Sequence, residues 1–343
     1  MFSPKYLEYK KNVSHDLYRP LVRYLSIIPS FVIIALFITI FISYFDNILL
    51  PDYQKINFSW NISSLLFILK HIPFNFCFFL SFYSYIKCIF TNPGRVDEEV
   101  NHELSKRLPS SSVVRHCFYC NIDKFPRIHH CSVCNMCVTN MDHHCVWLCN
   151  CIGHYNKKFF NLFLFYATLG SLFFFLFASQ IVYHHFQKRV YGVLPPMLMI
   201  GLCLSISFCL TLIFFGGFHI YLILNNITTL EVNTYLFSRE RGINPYDLGW
   251  KKNWCFIMGK NPWLWLLPVA NTPPFSWELR HDFVPYESDI EQQDSSFYEE
   301  EEEAEEEENS NNHRQHNIEY NIPFQSNILK YSNEECARLL PPV

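Results

Sequence analysis

Charge is absent from residues 25–45 (LSIIPSFVIIALFITIFISYF), and glycine is scarce throughout, with 10 in 343 residues against 34 phenylalanines and 20 tyrosines. That mixture argues against an ordinary soluble enzyme. An α-helix rises 1.5 Å per residue, so about 20 uncharged apolar residues cross a hydrocarbon core roughly 30 Å thick. Residues 25–45 also lack an obvious small-residue cleavage site and exceed the 7–15 apolar residues of a secretory signal, so a membrane span is expected rather than a signal peptide. Further apolar stretches run over Ser64–Ile86, Phe159–Tyr183 and Leu194–Leu224. The expected fold class is therefore an all-α polytopic membrane protein with four transmembrane helices. Lys70 and His71 interrupt the second span, and a lysine some six residues inside a span reaches the interface by extending along it.

Lysine and arginine are unevenly shared among the connecting segments. Five precede the first span (Lys5, Lys10, Lys11, Arg19, Arg23) and one, Lys55, lies between the first two. Eight lie in 91–158 (Arg95, Lys106, Arg107, Arg115, Lys124, Arg127, Lys157, Lys158) and two, Lys188 and Arg189, follow the third span. This alternation predicts both termini and the 91–158 loop on the cytosolic face. Eight of the fourteen cysteines fall between 117 and 151, on that reducing side, where disulfides are not expected. Cys117-x2-Cys120, Cys131-x2-Cys134 and Cys134-x2-Cys137 have the spacing of zinc knuckles, with His130 and His144 available as nitrogen ligands. A segment of some sixty residues with few aliphatic side chains needs such a staple to fold. Two four-coordinate sites use eight ligands, whereas the segment offers eight cysteines and six histidines: His116, His129, His130, His143, His144 and His154. Spacing alone leaves open which thiol is spare.

From Cys117 to Phe160 the chain reads C-x2-C-x9-HC-x2-C-x2-C-x4-DHHC-x5-C-x4-N-x3-F. This pattern resembles the cysteine-rich domain of the DHHC protein S-acyltransferases, in which that domain occupies the cytosolic loop between the second and third transmembrane helices. Thr228-Thr229-Leu230-Glu231 is similar to the family's TTxE motif, and Asn244-Pro245-Tyr246-Asp247-Leu248-Gly249 with Asn253 to its PaCCT segment. The resemblance covers roughly residues 21–269. It implies two structural zinc ions, one held by Cys117, Cys120, His130 and Cys137 and the other by Cys131, Cys134, His144 and Cys151. Cys145 and Cys149 are then left over. The family's nucleophile is the cysteine of Asp-His-His-Cys, which implies Cys145 as the nucleophile, His143 as its base and Asp142 as the group orienting His143.

The residue types suit that chemistry. A free thiol is mostly protonated at cytosolic pH, and an imidazole that accepts its proton supplies the attacking thiolate. A carboxylate on the far ring nitrogen fixes the tautomer and favours the imidazolium. The implied activity is protein-cysteine S-palmitoylation in two steps, with palmitoyl-CoA or another long-chain acyl-CoA as co-substrate and proteins bearing membrane-proximal cysteines as acceptors. No nucleic-acid partner is expected. The alternative is a non-catalytic membrane zinc scaffold, in which Asp142, His143 and Cys145 have no assigned work.

Some positions depart from the family pattern. Val146 stands where the family usually has proline, Cys149 replaces a frequent asparagine, and Asn92-Pro93-Gly94 replaces Asp-Pro-Gly, a turn that asparagine serves nearly as well. Threonine with glutamate three residues on, as in Thr228 and Glu231, is also a capping box. His219 lies inside the fourth span, where an ionisable group is a functional candidate, although packing against a polar neighbour is the preferred reading. Arg115, Lys124, Arg127, Lys157 and Lys158 are candidates for CoA phosphates or plain cytosolic-side charges. Asn57 and Asn61 begin glycosylation sequons too close to the membrane for use to be expected. Gly170, eleven residues into a helix starting at Phe159, lies about 16 Å deep and is the candidate floor of an acyl-chain cavity.

The expected organisation is a cytosolic N-terminal segment (1–23), helices 1 and 2 (24–90), the zinc domain (91–158), helices 3 and 4 (159–224), a cytosolic segment with the two motifs (225–275), and a disordered acidic tail (276–343) carrying Glu299–Glu308. The organelle, whether endomembrane or plasma membrane, is not legible.

Overall fold

The computed structural model describes residues 27–56, 61–107, 115–188, 192–237 and 244–271. The first helix, α1, runs over Ile27–Gln54 and includes a π-helical turn at Phe45–Leu49. Helix α2 (Ile62–Phe90) starts where the Asn61 side chain accepts a hydrogen bond from the Ser64 N–H at 2.9 Å, a standard way to satisfy an N-terminal amide. A short strand β1 (Arg95–Val96) and helix α3 (Glu98–Arg107) follow. Three hairpins come next: β2 (Arg115–Cys117) with β3 (Ile122–Lys124), β4 (Ile128–Cys131) with β5 (Met136–Thr139), and β6 (His143–Cys145) with β7 (Asn150–Ile152). Strand β1 extends the middle hairpin, pairing Val96 with Cys137. Helices α4 (Lys157–Gln187) and α5 (Pro196–Asn225) complete the spans, and α6 (Trp250–Met258) lies beyond them.

Among the described residues, α1, α2, α4 and α5 are the helices long and apolar enough to cross a membrane. They are apolar all round, as helices must be when one side meets lipid and the other meets protein. Helix α4 is central, packing on both α2 and α5. Aromatic rings supply much of the interior, with Phe37, Phe78, Tyr85 and Phe163 in mutual edge and tilted contacts.

The first span outruns its apolar stretch by nine residues. Its extension carries Asp52 back to α2, where the carboxylate meets Lys70 at 2.5 Å and His71 at 3.4 Å. The two interruptions of the second span part ways: Lys70 is exposed and paired with Asp52 at the surface, whereas His71 is buried and bonds through Nδ1 to the Tyr44 hydroxyl at 2.8 Å. Asn57 and the acidic run Glu299–Glu308 fall outside the described residues.

Candidate active site and metal clusters

The three hairpins repeat every fourteen residues. Cys117, Cys131 and Cys145 occupy equivalent positions, as do His116, His130 and His144, and Asn121, Asn135 and Cys149. The last set closes each turn with a left-handed backbone, φ 55°, 52° and 50°. Asparagine tolerates that region better than other side chains. Side chains alternate across a strand, so neighbours such as His130 and Cys131 point to opposite faces. One face of the middle hairpin therefore serves one cluster and the opposite face the next.

Two clusters result, Cys117/Cys120/His130/Cys137 and Cys131/Cys134/His144/Cys151, each with its ligand atoms within 4.8 Å of one another. Each is a two-cysteine knuckle from one hairpin closed by the histidine and cysteine of the next. Tetrahedral zinc with bonds of 2.3 Å to sulfur and 2.0–2.1 Å to nitrogen sets sulfur and nitrogen about 3.6 Å apart. His130 Nδ1 lies 3.6, 3.3 and 3.9 Å from the sulfurs of Cys117, Cys120 and Cys137. His144 Nδ1 lies 3.7, 3.3 and 3.7 Å from those of Cys131, Cys134 and Cys151. Both donor sets fit zinc.

Alternation also decides where the rest of Asp-His-His-Cys points. With His144 turned to its cluster, His143 and Cys145 share the other face of β6, and both line an apolar cavity of about 600 Å³. The hairpin is pinned to the span bundle: the Trp147 carbonyl accepts from Tyr85 Oη (3.0 Å) and Ser30 Oγ (3.2 Å). Asn150 donates to the carbonyls of Cys88, Ile89 and Thr91 at the end of α2. Cys145 is buried with Tyr85, Leu148, Phe159 and Phe160.

Asp142 is fully buried. Its Oδ2 lies 3.0 Å from His143 Nδ1, while Oδ1 accepts from Lys157 Nζ at 2.7 Å and from the Thr229 N–H at 3.2 Å. The Thr229 hydroxyl donates to the Asp142 main-chain carbonyl. Burial alone would raise the carboxyl's pKa, but the Lys157 and His143 charges hold it well below the usual range. Burial pulls His143 the opposite way, yet its hydrogen bond to Asp142 and the adjacent Cys145 sulfur push it up to about 9.

The cavity runs from Cys145 between the helices, past Phe163, Leu164 and Ala167, to Gly170 and Phe74. Phe74 also belongs to a packed cluster with Tyr44, Ile48, Phe174 and Leu198, which closes that end. Gly170 lines the cavity, and a Cβ there would meet nothing nearer than Cys77 Cβ at 3.9 Å.

Several candidates from the sequence stand elsewhere. Lys157, Lys158 and Arg127 are buried, which removes these three from the candidates for CoA phosphates. Lys157 serves Asp142, and Lys158 donates to the Leu264 carbonyl at 2.8 Å. Arg127 makes a two-pronged pair with Glu231 (2.7 Å twice), donates to the Asn226 carbonyl and side chain, and lies 3.7 Å over the Tyr246 ring. Glu231 in turn accepts from the Thr228 N–H at 2.9 Å, so the TTxE stretch both caps a turn and contacts Asp142. Asn253 ties the last motif to the bundle, donating to the Leu224 carbonyl at 2.7 Å. His219 packs beside Asp142, with Nδ1 3.8 Å from Oδ2, in agreement with a polar neighbour. Sequence reasoning missed Lys157 and Thr229 as partners of Asp142; the only signal was the resemblance of Thr228–Glu231 to a family motif.

The profile of the DHHC palmitoyltransferase family matches residues 111–235. The chain is 33% identical over 215 residues to probable protein S-acyltransferase 12 of Arabidopsis thaliana, an alignment covering 57% of this chain and 71% of that protein. It is 31% identical over 227 residues to palmitoyltransferase ZDHHC15 of Mus musculus, covering 63% and 66%. To palmitoyltransferase PFA3 of Debaryomyces hansenii it is 37% identical over 184 residues, covering 48% and 45%. With the four apolar helices and the two Cys/His clusters between the second and third of them, these likenesses make the chain a member of the DHHC palmitoyltransferase family, and protein S-palmitoylation is the function that membership supports.

Proposed function

We propose that the chain transfers a long-chain acyl group from acyl-CoA to cysteines of membrane-associated proteins through an acyl-Cys145 intermediate. One observation carries the reading. Cys145 occupies the ligand position of its hairpin but lies outside both clusters, opening with His143 onto a cavity of about 600 Å³, a volume typical of sites that enclose a small ligand.

In the first step His143 takes the Cys145 proton, the thiolate attacks the thioester carbonyl, and the bond to the CoA sulfur breaks. The proton on His143 passes to the departing CoA thiolate. In the second step an acceptor cysteine gives its proton to His143 and attacks the acyl-Cys145 carbonyl, returning Cys145. Both steps exchange one thioester for another, so little driving force is lost. With its pKa pushed up to about 9, His143 keeps the proton that Cys145 yields until a leaving thiolate claims it. Asp142, ionised and fixed by Lys157 and Thr229, holds His143 in the tautomer that faces the sulfur.

Zinc in the two clusters would be structural, each ion closed by four protein ligands and stapling two hairpins. Its work is to hold β6 against the membrane face. The alternation of lysine and arginine supports a cytosolic location for this face and both termini, where acyl-CoA is available. A non-catalytic scaffold leaves unexplained why an aspartate–histidine pair and an apolar cavity meet at the unligated thiol.

The test is labelling with palmitoyl-CoA. Purified protein should gain a hydroxylamine-labile acyl group, and Cys145→Ser should lose it while keeping two zinc ions. Label persisting on Cys145→Ser would move the nucleophile elsewhere, Cys149 first.

A further inference from the structure

His219 is 1% exposed, and neither ring nitrogen has a hydrogen-bond partner. Leaving a buried polar group unmatched is destabilising. Phenylalanine would fill the same space without that cost. The surroundings are suited to a phenyl ring: Phe160, Phe215 and Phe218 meet His219 edge-on at 5.0, 4.6 and 5.7 Å. The imidazole therefore needs a reason beyond packing.

Asp142 supplies it. Helix α5 brings His219 Nδ1 to 3.8 Å from Oδ2, the oxygen that His143 Nδ1 meets at 3.0 Å. The other oxygen is taken by Lys157 and Thr229. A carboxylate oxygen accepts two hydrogen bonds, so Oδ2 has one position left. His219 is the polar side chain beside it, and a shift of less than an ångström closes the gap. Phe160, Phe215 and Phe218, which flank the imidazole, offer it no side-chain acceptor. Phe160 and Phe215 also line the cavity, so the imidazole is wedged between the cavity wall and the Asp142–His143 pair.

We propose that His219 is a positioning residue for acyl transfer: it donates from Nδ1 to Asp142 Oδ2 and so fixes the carboxylate that orients His143. It acts through Asp142 and touches neither thiol nor acyl chain. The inference rests on the reading of Cys145 as nucleophile.

The experiment uses the full chain in detergent, with single-turnover acylation by palmitoyl-CoA, zinc content and chromatographic homogeneity measured in parallel. His219→Phe keeps the ring and removes the nitrogens. His219→Asn puts an N–H donor at the place of Nδ1, and His219→Gln puts one at the place of Nε2. Orienting partners of this kind are commonly worth a factor of 10–100, so Phe and Gln should lower the maximal rate at least about tenfold. Asn should return it to within about threefold of wild type. Apparent affinity for palmitoyl-CoA and zinc content should not change. In an Asp142→Asn background His219→Phe should cost little more, because residues acting as one unit are not additive. Wild-type rates in His219→Phe, failure of Asn to rescue, or additive losses would overturn the proposal. Failure of the nucleophile reading is distinguished by acylation of Cys145→Ser, a result independent of position 219.

Discussion

Replacing Gly170 by phenylalanine is expected to shorten the preferred acyl chain without unfolding the protein. A Cβ at this position meets Cys77 Cβ at 3.9 Å and the Phe78 amide nitrogen at 4.0 Å, ordinary contact distances, so the added carbon fits and the expected place for the ring is the cavity that Gly170 lines. A benzene-sized group occupies on the order of 150 Å³, about a quarter of the 600 Å³ available. Each methylene kept out of an apolar site costs about 0.8 kcal/mol. Palmitoyl exceeds myristoyl by two methylenes, so excluding them costs about 1.6 kcal/mol, roughly fifteenfold in kcat/KM. The four methylenes by which stearoyl exceeds myristoyl cost about 3 kcal/mol, beyond a hundredfold. The assay is acyl-enzyme formation with myristoyl-, palmitoyl- and stearoyl-CoA, with zinc content confirming the fold. Equal losses for every chain, or none, would refute the reasoning and make Gly170 a packing residue whose small size lets helices approach.

Cys117→Ser removes a ligand of the first cluster only, so zinc content should fall from two ions and folded yield with it; retention of two would refute the ligand assignment. Arg127→Met leaves Glu231 buried without its cation, which should cost about 3–5 kcal/mol of stability, partly regained by adding Glu231→Gln, as measured by thermal unfolding in detergent. Because the folded His143 pKa is about 9, above the ordinary 6.5, its contribution to stability is complete below pH 6.5 and is lost as pH rises through 9. The melting temperature of wild type should therefore fall more than that of His143→Gln between pH 7 and 9.5, and parallel curves would contradict the shift.

The spans were legible as long uncharged runs and the cysteine knuckles as two-residue spacings, whereas the division of the ligands into two sets came only from the family resemblance. The fourteen-residue repeat was equally visible, since Cys117, Cys131 and Cys145 each follow a histidine, but a ligand tally does not expose it. Partners of Asp142 come from three distant places, α4, α5 and the turn at Thr229, and no spacing links them. The charge of Lys157, Lys158 and Arg127 suggested a surface, whereas each is spent inside the protein on a carboxylate or a carbonyl. Lysine and arginine counts record which side of the membrane a loop occupies, not which of its cations reach water.

The third hairpin has the same turn as the two that grip metal, with one jaw removed. Where Cys120 and Cys134 complete their knuckles, Leu148 is buried against Tyr85, Cys88 and Phe160. A single sulfur with no fourth hairpin beyond it among the described residues cannot assemble a closed tetrahedral site there, which leaves Cys145 outside both clusters. The same change turns the mouth of a metal knuckle into an apolar seat that fastens the Cys145 sulfur to the membrane helices. On the proposed mechanism reactivity is achieved by subtraction: one cysteine exchanged for leucine would separate a ligand held on its metal from a thiol that changes partners twice in a turnover.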